Sequence, residues 1–148
     1  MEEVLGSRDV TVPFLEGAAT DRGGVLEPVG YVFHRRSEGP EIYDYELKNE
    51  YSDLVELITP LPLPELTIAK LRELALTAVQ VFAVRDLGRA DFRVSDEGAV
   101  SFLELNPLPY LHPETSIYAA AALEGVEADG VISSVIASAA RRWSLTAD

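Results

Sequence analysis

Apolar positions along this chain follow two periods, and the changes between them mark the elements. Period-two runs predict strands at residues 10–15, 29–34 and 54–59. A Gly/Asp-rich turn over 17–24 and a polar loop over 35–40 separate them. Residues 42–48 alternate aromatic with charged side chains and predict the start of a partly exposed loop. The run Pro60-Leu61-Pro62-Leu63-Pro64 then ends regular structure, because proline has no amide hydrogen to give to a ladder or helix. Beyond it Ile68, Leu71, Leu74, Ala75, Ala78, Val79 and Phe82 recur at helical spacing, which predicts a helix over 66–82 with one face for a sheet. Two alanine-rich helices are predicted over 115–123 and 130–143, the second ending in Arg141-Arg142. Strands, helix, hairpin, helices is the order of an α+β fold, with a mainly antiparallel sheet and helices packed on one face.

The hairpin carries the candidate chemistry. Arg89-Ala90-Asp91-Phe92-Arg93 and Phe102-Leu103-Glu104-Leu105-Asn106 flank Ser95-Asp96-Glu97-Gly98, a turn signal with glycine where a positive φ is needed. Alternation puts Arg89, Asp91 and Arg93 on one face, with Phe102, Glu104 and Asn106 facing the same way from the partner strand. Ala90, Phe92, Val94, Leu103 and Leu105 make the apolar back. A turn centred on Glu97-Gly98 sets Asp91 opposite Glu104 and Arg89 opposite Asn106. Opposed carboxylates repel unless a cation lies between them, so removing one predicts a more stable ion-free fold. Two carboxylates and an amide oxygen are hard ligands suited to magnesium, and a charged front with arginine beside it points to phosphate chemistry.

Composition narrows the partners. The 148 residues suit one domain, and a net charge of −13 argues against nucleic acid or an anionic membrane surface. There is no cysteine, which excludes disulfides and thiolate metal sites and fits a cytoplasmic location. Met1-Glu2-Glu3 has neither the basic nor the apolar region of a signal peptide. The apolar stretch 131–140 is too short to span a bilayer. His34 and His112 have no partner at metal-ligand spacing, and Trp143 is expected in core or terminal packing.

The run GRADFRVSDEGAVSFLELNPLPYLHPETS, from Gly88 to Ser116, resembles the carboxy-terminal ATP-grasp domain of D-alanine–D-alanine ligases. The resemblance is collinear with Glu2-Glu3-Val4-Leu5, Asp9-Val10-Thr11-Val12 and Tyr43-Asp44-Tyr45-Glu46-Leu47-Lys48. It implies one ATP-grasp domain over residues 1–148, with 1–9 a remnant of the hinge to a central domain. It implies ATP with two magnesium ions, or manganese in their place, held by Asp91, Glu104 and Asn106, with Glu104 bridging. Arg89 matches the arginine at the transferred phosphate, a role its bidentate fork suits. Lys48 matches a phosphate-contacting lysine. Glu2 and the Leu5 backbone match the adenine hinge, and Asp9 falls where a glutamate usually binds the ribose. Thr115 or Ser116 falls where a serine holds the terminal substrate carboxylate.

The implied reaction is ADP-forming ligation of a carboxylate to an amine through an acyl phosphate, in peptidoglycan precursor synthesis. A small amino-acid-like substrate is the expected second partner. The family's amino-terminal domain and its glycine-rich phosphate lid have no counterpart here, so the chain is expected to be inactive or nearly so alone, as a fragment, a truncated gene product, or one part of a split enzyme completed by a separate chain. Tyr110 stands where the family places glycine, adding bulk at the substrate and a residue poorly suited to positive φ. Asn49 stands where tyrosine or histidine is usual. These departures leave two alternatives, an ATP-grasp ligase for another carboxylate and amine, or a non-catalytic relic of the fold.

Overall fold

The computed structural model describes residues 8–33 and 55–145. Five strands form one sheet: β1 (Arg8–Leu15), β2 (Val29–Phe33), β3 (Val55–Ile58), β4 (Leu87–Val94) and β5 (Val100–Asn106). Their order is β3-β2-β1-β4-β5 and every pairing is antiparallel. Three α-helices accompany them: α1 (Glu65–Val81), α2 (Ser116–Leu123) and α3 (Ala128–Arg142). None of the helices among the described residues is long and apolar enough to cross a membrane.

Alternation assigns the faces. Val10, Val12 and Phe14 of β1 and Ala90, Phe92 and Val94 of β4 share a core with Ile68, Leu71, Ala75 and Val79 of α1. Thr11, Arg89 and Asp91 occupy the other face, and Leu15, Val29 and Leu87 make one end of that face apolar. Ile117, Ala120 and Ala121 of α2 cover this end, backed by Val131 of α3. The α+β class and the antiparallel sheet are as expected. The helices, expected on one face, divide between two, because Leu15 and Leu87 are apolar residues in polar-face register and need cover of their own. Phe82 and Trp143, expected to pack, stand just beyond the ends of α1 and α3 and are exposed.

The hairpin reaches its expected register by an unexpected route. Its loop has three residues: Ser95 N–H donates to Ala99 O at 2.9 Å, and Gly98 takes φ +85°. That loop pairs Phe92 with Phe102, one step out of phase with the polar pairs. A bulge between Asp91 and Phe92 in the register restores the phase, giving Asp91 opposite Glu104 and Arg89 opposite Asn106. Phe102 therefore lies edge-on to Phe92 at 5.6 Å on the apolar side, and Leu103 is half exposed.

Gly24 sits at φ +87° in the β1–β2 connection, where an added Cβ meets Phe14 Cε2 at 2.7 Å and the Leu15 carbonyl oxygen at 3.0 Å. Gly24→Ala is expected to destabilise by about 1–2 kcal/mol from the left-handed conformation alone, and the contact with backbone adds to this. Thermal unfolding measures it; an unchanged midpoint contradicts the assignment.

A clasp closes the far end of the sheet. Asp86 accepts from Arg142 at 2.5 and 2.8 Å, and its own N–H donates to Glu16 at 2.9 Å. The Arg142 hydrogen bonds, outweighing the effect of burial, hold the Asp86 carboxyl below its ordinary value. A carboxyl depressed in the folded state stabilises above its unfolded pKa, and that stability is lost as pH falls through the folded one. The urea midpoints of wild type and Asp86→Asn should therefore differ at neutral pH and converge below about pH 4. A difference that stays constant down to about pH 2 refutes the clasp.

Candidate functional site

Asp91 is at the centre of the polar face, with Thr11 of β1 opposite it on one side and Glu104 of β5 on the other. Arg89, two residues earlier on the same strand, shares its face. The guanidinium closes onto the carboxylate as a fork, Nε donating to Oδ1 at 2.8 Å and Nη2 to Oδ2 at 2.7 Å. The two side chains are 21% and 19% exposed. Burial works against the charge on Arg89. The Asp91 hydrogen bonds and the charges of Asp91, Tyr31 and Glu104 outweigh it and raise the guanidinium pKa. Thr11, almost wholly buried, donates its hydroxyl to Asp91 Oδ1 at 2.7 Å.

The cation that two opposed carboxylates require is thus present in the chain itself, as Arg89. This overturns the expected gain in ion-free stability on removing Asp91, since its charge is already matched. Glu104 is exposed on the edge strand. Asn106 Oδ1 accepts from Leu108 N–H at 3.0 Å, a turn that starts the following loop and leaves the oxygen a second lone pair.

Asp9 lies opposite Arg93 on this same face and pairs with its buried guanidinium. In the loop after β5, Tyr110 is exposed and stacks on His112. Its φ is not positive, so the strain expected of a tyrosine in place of glycine is absent. Thr115 is the N-cap residue of α2 and donates its hydroxyl to His112 O at 2.8 Å, and Ser116, the first helical residue, is buried. Glu2, Leu5, Lys48 and Asn49 lie outside the described residues.

Asp91, Glu104 and Asn106 are hard oxygen donors of the kind that could hold a magnesium-type ion. Among the described residues no group of three His, Cys, Asp or Glu side chains is placed to hold a metal. Asp91 and Glu104 supply two carboxylates and Asn106 an amide, a set too sparse for an all-protein cage but ordinary for magnesium shared with a nucleotide. Thr11 was missed by sequence reasoning. Its only signal is a polar residue between Val10 and Val12, in phase with Asp9.

A family model described as D-ala D-ala ligase C-terminus matches residues 1–137. A D-alanine–D-alanine ligase of Oleidesulfovibrio alaskensis is 32% identical over 131 residues, covering 88% of this chain and 42% of the relative. One from Aquifex aeolicus is 30% identical over 141 residues, covering 92% of this chain and 42% of its own length. The chain spans about two fifths of the length of these relatives. A Bacillus anthracis D-alanine–D-alanine ligase structure complexed with ATP has a similar fold, with TM-score 0.70, 16% identity and coverage of 95% of this chain and 40% of that one. A Coxiella burnetii ligase structure gives TM-score 0.71 at 16% identity, over 95% of this chain and 34% of that one. On the extent of the family match, the chain belongs to the D-alanine–D-alanine ligase C-terminus family.

Proposed function

We propose that this chain is the ATP- and magnesium-binding part of an ADP-forming carboxylate–amine ligase of the D-alanine–D-alanine type. The observation that carries the reading is the cross-strand constellation of Arg89, Asp91, Glu104 and Asn106 on one face of β4 and β5. A bound divalent ion neutralises phosphate oxygens and so lowers the cost of moving the γ-phosphoryl group. Asp91, Glu104 and Asn106 would hold that ion, with Glu104, exposed on the edge strand, the residue that would also serve a second one. Arg89 binds the transferred phosphoryl oxygens through its fork and stays with them as the amine attacks the acyl phosphate. The adenine and ribose contacts fall to Glu2, the Leu5 backbone and Asp9, and Lys48 adds a phosphate contact. Thr115 or Ser116 holds the substrate carboxylate.

The likeness to a ligase structure in complex with ATP supports the choice of nucleotide. With the chain matching two fifths of its relatives, the substrate-binding domain and phosphate lid are contributed from outside residues 1–148. A second reading, ligation of another carboxylate and amine, is favoured by the exposed Tyr110 ring on the substrate loop. ADP release by a form containing the full ligase length, assayed over D-alanine and a panel of other amino and hydroxy acids, separates the two. Turnover highest with D-alanine supports the first reading; no nucleotide turnover with any acid refutes both.

A further inference from the structure

The polar face holds one more residue whose chemistry is unassigned. We propose that Thr11 is a positioning residue for the Asp91 carboxylate, fixing it while Arg89 is exchanged for the divalent ion; this rests on the metal reading above. Asp91 Oδ1 accepts from both Thr11 Oγ1 (2.7 Å) and Arg89 Nε (2.8 Å), and Oδ2 accepts from Arg89 Nη2 (2.7 Å). A carboxylate offers about four lone-pair directions, so these three bonds leave one free, on Oδ2, beside a guanidinium cation. An ion reaching Asp91 meets Arg89 as a competitor of like charge. Thr11 is neutral, comes from β1 rather than β4, and is buried among the strand pairs, so its bond to Oδ1 survives the exchange. The two neighbours of one carboxylate thus act on metal affinity with opposite sign. Arg89 opposes the ion, and once displaced it is free for the phosphate; Thr11 keeps the carboxylate oriented for it, as outer-sphere hydrogen-bond partners do.

Manganese binding in the absence of nucleotide, followed by electron paramagnetic resonance, tests this. Thr11→Val keeps the side-chain shape, removes the hydroxyl and should weaken binding by about tenfold or more. Thr11→Ser should restore it to within about threefold of wild type. Arg89→Lys keeps the positive charge, loses the fork and should tighten binding by about tenfold. It leaves Thr11 in place, so it is read even if Thr11→Val does not fold. Equal affinity of Thr11→Val and wild type overturns the role of Thr11, and equal affinity of Arg89→Lys and wild type overturns the exchange. Failure of every form, wild type included, to bind manganese without nucleotide overturns this inference, and the same titration repeated with ATP present decides the metal reading separately.

Discussion

Asp91→Ala is expected to lower the metal-free unfolding free energy by about 2 kcal/mol, while Glu104→Ala changes it by less than about 0.5 kcal/mol. The two carboxylates face each other across β4 and β5, yet only one is built into the ion-free fold. Removing Asp91 strands the Arg89 fork and leaves the buried Thr11 hydroxyl without its acceptor. Losing one partner of a fully buried pair costs about 3–5 kcal/mol. With both side chains about one-fifth exposed, water screens part of that, and the smaller figure is the appropriate one. Glu104 is exposed, and its loss removes a negative charge facing Asp91. Urea unfolding at neutral pH in the presence of a chelator measures both. Equal effects, or stabilisation by Asp91→Ala, would show that the Arg89 fork does not form in solution.

A larger loss is expected from Phe92→Ala, about 3–5 kcal/mol, the range for truncating a fully buried aromatic ring. Phe92 is 1% exposed, packs in the core beneath α1, and meets Phe102 edge-on at 5.6 Å. Its position gives the change a second consequence. Phe92 borders the bulge that brings Asp91 into register with Glu104, so its ring anchors the apolar side of the step that aligns the polar side. Phe92→Ala should therefore speed amide exchange in β5 relative to β1 and weaken manganese binding under conditions where the protein remains folded. Phe92→Leu, which keeps most of the volume, should cost less on both counts. Uniform amide exchange across the sheet would separate the core from the register and contradict the coupling.

The sequence made the hairpin legible because both its strands alternate cleanly and its polar residues match in type and spacing. It concealed the bulge, since a three-residue loop followed by one extra residue gives the same far-end pairing as a tighter turn without a bulge. As a result Phe102 joins the apolar side, and Leu103, expected there, is left out of the ladder and half exposed. The division of the helices was also hidden: Leu15 and Leu87 look like ordinary strand residues until their register places them on the polar face. Thr11 was invisible for a topological reason. Its acceptor Asp91 is 80 residues away, and only the pairing of β1 with β4 brings the two together. The Asp9–Arg93 pair arises from the same ladder. Glu2, Leu5 and Lys48 rest on the family resemblance alone, as they fall outside the described residues.

Calorimetric titration with magnesium-ATP, comparing wild type with Glu104→Ala, tests the central claim most directly. Glu104 is the right control because its side chain is exposed and its removal should leave the fold intact. Saturable binding by wild type, weakened at least about tenfold by Glu104→Ala and abolished by chelating the metal, is the expected result. Binding of equal strength by both proteins, or binding indifferent to the metal, would contradict a nucleotide–magnesium site on this face of the sheet.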